Sequence, residues 1–190
     1  ESDALRLFLF TYPTVDTAAL ARSLIKSGLR IQALLAPGQA QETFFQACRA
    51  FSAKSLTCIK LPMVPQKDFD LLLWSSDVLI VRGEDSASRA LLSGKPFFWT
   101  LYPQKEQLHI KKMEAFEKTL TDSFEPEALL RRNAVERALN EESPVSEKAL
   151  LAYFQDIDAQ QKGARTYARK CLTLPRAPRK IAKMLLDGLK

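Results

Sequence analysis

His109 is the chain's single histidine, which excludes an imidazole-rich metal site and a Ser-His-Asp triad built on any other histidine. Cysteine is scarce as well. Cys48, Cys58 and Cys171 show neither C-x-x-C spacing nor a disulfide framework, so reduced thiols are expected. With six glycines, the chain has no Gly-rich dinucleotide fingerprint and no Walker sequence. No apolar run reaches the roughly eighteen residues that span a bilayer, and "ESDALRLFLF" lacks the basic region and cleavage site of a secretory leader. The expectation is a cytoplasmic protein with no membrane contact, no metal site and no bound cofactor.

A hydrophobic content of 46% over 190 residues is enough to build a proper core. The formal charge of +6 is uneven: from Lys162 onward nine Lys or Arg face one acid, Asp187. Such a tail attracts nucleic acid, an acidic protein or lipid headgroups, or is simply the solvated face of terminal helices. His109 lies in the helical pattern "EQLHIKKMEAFEK", where a surface position is expected.

Up to Leu101, short β-like runs alternate with helical patterns. "LRLFLF", "RIQALLA", "LTCIKLP", "DVLIV" and "PFFWTL" read as strands. Helices are expected between them: "VDTAALARSLIKSG", capped by Asp16 and stopped at Gly28; "AQETFFQACRAF"; "KDFDLLLWSS", capped by Asp68; and "ASRALLSG", opening near Asp85 or Ser86. This alternation predicts an α/β fold with a doubly wound parallel sheet. Past Tyr102 the pattern is helical throughout, in "EQLHIKKMEAFEKTL", "EPEALLRRNAVERALN", "SEKALLAYFQDIDAQ" and "PRKIAKMLLDGL". The expected organisation is a nucleotide-binding unit over 1–120 and a helical C-terminal tail over 121–190 packing on it.

In such sheets strand one usually neighbours strand four, and ligands bind outside the carboxyl ends of strands where the order reverses. Those two ends carry "FTYP" and "RGEDS", which places Phe10 and Tyr12 beside Arg82, Gly83, Glu84, Asp85 and Ser86. The loop "PMVPQKDF" leaves a strand end on the same side and brings Gln66 and Phe69 toward the crevice. Aromatic rings offer a base a stacking surface, Gln66 offers a donor and an acceptor, and Arg82 with the helix N-terminus favours a phosphate. A nucleoside diphosphate suits such a site, with Glu84 holding a ribose hydroxyl or acting on a second substrate. On its residues alone, however, the pentapeptide reads better as a capped strand-to-helix turn with an Arg82–Glu84 surface pair. Phe10, Phe69 and Trp74 are each more commonly core, and Trp99 reads as buried sheet.

A longer pattern weighs against that plainer account. Gln66, Phe69-Asp70, Leu72-Leu73-Trp74, "VRGEDS", "GKPF", Tyr102-Pro103-Gln104 and His109-x-x-Lys112 follow one another in the order and spacing of the EarP family of protein-arginine rhamnosyltransferases, whose C-terminal half the chain resembles. The resemblance implies a Rossmann-like C-terminal lobe of a GT-B glycosyltransferase that holds dTDP-β-L-rhamnose as donor substrate. The acceptor would be an arginine of translation elongation factor P, modified with inversion. By motif, Phe10, Tyr12, Gln66 and Phe69 would surround the nucleotide, Arg82, Gly83, Glu84, Asp85 and Ser86 would receive ribose and diphosphate, and Glu84 would be the functional carboxylate. The chain departs from the family at Ala87 and Ser88, where an aromatic and Val are usual, and at Thr100, where His is usual. The family's N-terminal Asp-Asn-Tyr-Gly-Asp segment, source of the expected general base, does not occur in these residues. A separate N-terminal lobe is therefore an expected partner, and this chain alone is expected to bind donor without transferring sugar. The alternatives are a noncatalytic nucleotide-binding module and a nucleic-acid-binding module driven by the tail; for the latter no recognised motif is present.

Overall fold

The computed structural model describes residues 4–51, 53–141 and 144–174. Five strands, β1 (Leu5–Leu9), β2 (Ile31–Leu35), β3 (Leu56–Lys60), β4 (Val78–Arg82) and β5 (Phe97–Thr100), form one sheet. It is wholly parallel, in the order β3-β2-β1-β4-β5. Helices α1 (Thr17–Lys26), α2 (Gln39–Phe51), α3 (Gln66–Trp74) and α4 (Gly83–Ser93) make the crossovers. A single 3-10 turn, Lys105–Gln107, leads into α5 (Leu108–Leu120), α6 (Pro126–Asn140), α7 (Glu147–Phe154) and α8 (Ile157–Thr173).

The strands read as continuous apolar runs because both faces of the sheet are covered. Leu7, Leu9, Ile31, Leu35, Val78, Ile80 and Phe98 face one core with Leu20 and Leu24 of α1, Phe44 of α2, Val135 and Leu139 of α6, and Tyr153 of α7. Phe8, Leu34, Leu79, Val81 and Phe97 face the other with Leu73 of α3 and Ala87 and Ala90 of α4. The doubly wound α/β fold is thus present.

One edge of the sheet is closed by a helix rather than a strand. Arg132, Glu136 and Asn140 recur every fourth residue on α6 and turn toward β5. Glu136 Oε1 accepts from Trp99 N and Asn140 Oδ1 from Leu101 N, both at 2.8 Å, while Asn140 Nδ2 donates to Trp99 O at 2.9 Å and Arg132 Nη2 to Phe97 O at 3.2 Å. Arg132 and Glu136 also form a buried bidentate pair at 2.6 and 2.7 Å. These polar side chains satisfy backbone groups that an edge strand otherwise leaves to water.

Several local expectations need correction. Asp16 caps α1 through Ala19 N at 2.8 Å as expected, but Asp68 does not cap α3: Pro65 holds that position and Asp68 sits inside the first turn. The helix after β4 opens at Gly83, two or three residues early, so neither Asp85 nor Ser86 caps it. Trp74 is 56% exposed rather than core. His109 is buried rather than on the surface, and its helix begins at Leu108 because Glu106 and Gln107 take positive φ. The helix expected over 146–160 breaks at Asp156, whose carboxylate pairs with Arg131 at 2.7 Å, and α8 sets off toward α4. The pattern "PRKIAKMLLDGL" lies outside the described residues.

Candidate functional site

The order reversal between β1 and β4 creates a crevice where Phe10, Tyr12, Phe69 and Arg82 meet, with Gln66, Glu84 and Asp85 exposed outside the cleft lining. Phe10 continues β1, its N–H donating to Ile80 O at 2.8 Å, so its ring is held beside the end of β4. Arg82 ends β4 in an extended conformation and lays its guanidinium 4.4 Å from the Phe10 ring centre and 5.1 Å from that of Tyr12. Phe69 on α3 meets Phe10 edge to face at 5.9 Å. Phe10, Phe69 and Arg82 line a cleft of about 170 Å³ with Leu61, Met63 and Leu72. A larger hollow of about 510 Å³ opens between Arg6, Arg30, Lys54 and Asp77, but at the amino ends of the strands, away from these motifs.

Gly83 makes the turn possible. Its φ of +69° is left-handed, and a Cβ there would stand 3.5 Å from Tyr12 Oη, so backbone conformation rather than space requires glycine. No side chain caps α4, which leaves opening N–H groups as the positive end of an uncapped helix. The Arg82–Glu84 surface pair does not form. Arg82 has no carboxylate partner among the described residues and is held by the two rings, whereas Glu84 pairs with Lys112 Nζ at 2.6 Å. That hydrogen bond from Lys112, followed by one from the Glu84 N–H, holds the Glu84 carboxyl below its ordinary range. Glu84 therefore stands as a carboxylate, suited to accept hydrogen bonds and orient a cation. Asp85 turns toward α3, accepting from Gln66 Nε2 at 3.2 Å, and Ser86 is half-buried in the first turn.

Beneath the crevice Thr11 donates to Thr100 Oγ1 at 2.8 Å, and Thr100 donates to Val81 O at 3.0 Å. Thr100 thus makes a buried hydroxyl link from β5 to β4. Ala87 is buried against the sheet, and Ser88 returns its hydroxyl to Glu84 O at 2.8 Å.

Three contributors beyond the site set expected from sequence become visible. Tyr102 packs edge to face on Tyr12 at 5.6 Å and extends the aromatic wall. His109 Nδ1 accepts from Gln104 N at 3.1 Å, fixing the loop that carries Tyr102. Lys112, one turn further on, lies 5.7 Å over the Trp99 ring as well as on Glu84. Their signal was the Tyr-Pro-Gln and His-x-x-Lys pattern, which gives spacing but no partner. Among the described residues no helix is long and apolar enough to cross a membrane.

The model of the family described as "Elongation-Factor P (EF-P) rhamnosyltransferase EarP" matches residues 1–186. The chain belongs to the EarP family. EarP relatives named protein-arginine rhamnosyltransferase include one from Neisseria meningitidis serogroup B, 38% identical over 136 residues, covering 70% of this chain and 36% of the relative. One from Shewanella oneidensis is 36% identical over 132 residues, covering 63% and 33%. The chain thus spans about a third of the length of these EarP relatives. A solved structure described as the structural basis for EarP-mediated arginine glycosylation of translation elongation factor EF-P superposes with a TM-score of 0.81 at 24% identity, over 98% of this chain and 62% of that one. It shows the shared fold.

Proposed function

We propose that this chain is the donor-binding lobe of a GT-B glycosyltransferase that carries L-rhamnose from dTDP-β-L-rhamnose to an arginine of elongation factor P, with inversion. EarP family membership supports the reaction class, and the placement of Arg82 supports the division of labour. A guanidinium held on two aromatic rings, with no carboxylate partner among the described residues and beside an uncapped helix N-terminus, is suited to the charge that grows on a departing diphosphate. Phe10, Tyr12 and Phe69 offer stacking surfaces for the base, and Gln66 offers its edge contact.

Arginine is a poor nucleophile because it stays protonated in water, so carboxylates must orient it and take its proton. Glu84, a carboxylate 71% exposed in the first turn of α4, two residues from Arg82, is suited to orient an incoming guanidinium. The proton acceptor would come from a separate lobe, since the Asp-Asn-Tyr-Gly-Asp segment is not among these residues. No resident cofactor is part of this mechanism, and the site calls on no metal.

Calorimetry tests the assignment. The folded chain should bind dTDP, and Arg82→Ala should raise its dissociation constant by about one to two powers of ten, the worth of a hydrogen bond to a charged group. No heat with dTDP would refute the donor site, and rhamnosylation of elongation factor P by this chain alone would refute the division of labour.

A further inference from the structure

Arg89 joins the two helices that flank the crevice. Its Nη1, on α4, donates to both oxygens of Asp70 on α3 at 3.0 Å, and its Nε donates to Asp85 Oδ2 at 3.0 Å. The same Oδ2 accepts from Gln66 Nε2 at 3.2 Å. A carboxylate held by a guanidinium can only accept, so the atom of the Gln66 amide turned to Asp85 is the nitrogen. Gln66 is exposed, and its Oε1, with no protein hydrogen bond among the described residues, is open to a ligand at the edge of the cleft.

Amide orientation matters because a glutamine that can turn over reads two pyrimidines. With its oxygen opposite ring position 3 it accepts the imide N–H of thymine or uracil. Turned over, it donates to the bare N3 of cytosine. Turning over here would set Oε1 against Asp85 Oδ2. The restraint begins at the Asp70–Arg89 pair, whose side chains are 31% and 29% exposed; Asp85, at 71%, depends on Arg89 to stay in place.

We propose that Arg89 is a positioning residue that sets base selectivity: it anchors Asp85, Asp85 fixes the Gln66 amide, and the fixed amide admits an imide pyrimidine and rejects cytosine. The inference rests on the donor-site reading above and adds to it the residue that governs which base is taken.

Calorimetry with dUDP and dCDP isolates the effect, because the two nucleotides differ only at the edge being read. The chain should prefer dUDP by about tenfold, the cost of one mismatched hydrogen-bonding group. Arg89→Met should shrink that preference to about threefold or less. Asp85→Asn, which keeps the shape but lets either amide orientation pair, should do the same. In a Gln66→Ala background Arg89→Met should cause no further loss of selectivity, since both substitutions act on one contact. Unchanged dUDP-to-dCDP ratios in both variants would overturn the inference while leaving the donor site intact. So would equal weakening of both nucleotides with a lower Tm, which marks a structural tie. Failure of the unsubstituted chain to bind dTDP would remove the donor-site reading itself, and this inference with it.

Discussion

Lys112 Nζ stands 2.6 Å from Glu84 Oε1, tying the helix after β5 to the first turn of the helix after β4. The pair fixes both the position and the charge of the carboxylate proposed to face the acceptor. In the complete transferase, Glu84→Gln should keep the donor dissociation constant within about threefold while lowering turnover by about a hundredfold or more. Lys112→Met should act through pH. With the Lys112 hydrogen bond gone, the depressed Glu84 pKa rises toward the ordinary carboxylate range, and the acid limb of turnover moves to higher pH. Donor affinity at neutral pH should not change. Variants that lowered Tm and left both affinity and turnover intact would reduce the charged turn to a helix start.

The buried Arg132–Glu136 pair makes a different prediction. Glu136→Ala leaves a buried guanidinium unpaired and removes the acceptor of Trp99 N, and should cost about 3–5 kcal/mol in urea unfolding. Replacing both residues with methionine should recover part of that loss, because no charge is then stranded. Full recovery would show that the contact to Trp99 contributes nothing.

Cys48 on α2 and Cys58 on β3 pack together in one core. Interaction between the two thiols, with burial added, pushes Cys48 up, and the same interaction lowers Cys58. Of the two, Cys58 should therefore react first with iodoacetamide near pH 8, and Cys48→Ala should slow it by returning its pKa upward. Peptide mass mapping over time checks both, and earlier labelling of Cys48 would contradict the coupling of the two thiols.

Glu117 on α5 is buried with Oε1 unpartnered, and burial raises its pKa, with the nearby Glu136 charge adding to the effect. An acid whose folded pKa is raised binds its proton better in the folded state, so its cost is present above the folded pKa and absent at low pH. Glu117→Gln should therefore stabilise the chain at pH 7.5, read as a higher Tm. The gain should fade as pH falls through the carboxylate range. A gain that did not vary with pH would point to packing instead.

The strands and their order were legible because burial of both faces leaves an unmistakable run such as Val78 to Val81, and the alternation with helices then dictates where β1 and β4 meet. That logic brought Phe10 and Tyr12 to Arg82 across seventy residues of chain. Pairings made by long side chains were not legible. Arg82 and Glu84 look like natural partners, yet one lies on aromatic rings and the other on Lys112, because the left-handed turn at Gly83 sends them apart. Nothing in the sequence singled out Arg132, Glu136 and Asn140, since periodicity cannot tell water from the backbone of an edge strand. Trp74 misled for the opposite reason: an apolar ring in a helix suggests a core, and here it faces outward.

The stripe on α6 also limits how this protein can be dissected. A cut after Leu120 falls between two helices and looks harmless on paper, but it would strip Phe97, Trp99 and Leu101 of the side chains that satisfy their backbone. The exposed flank would be a hydrophobic strand open to pairing with another copy, and the expected product is an aggregate rather than a smaller domain. Anyone transplanting this crevice onto another scaffold must therefore move α6 with the sheet as one inheritable piece, although none of its residues lines the crevice.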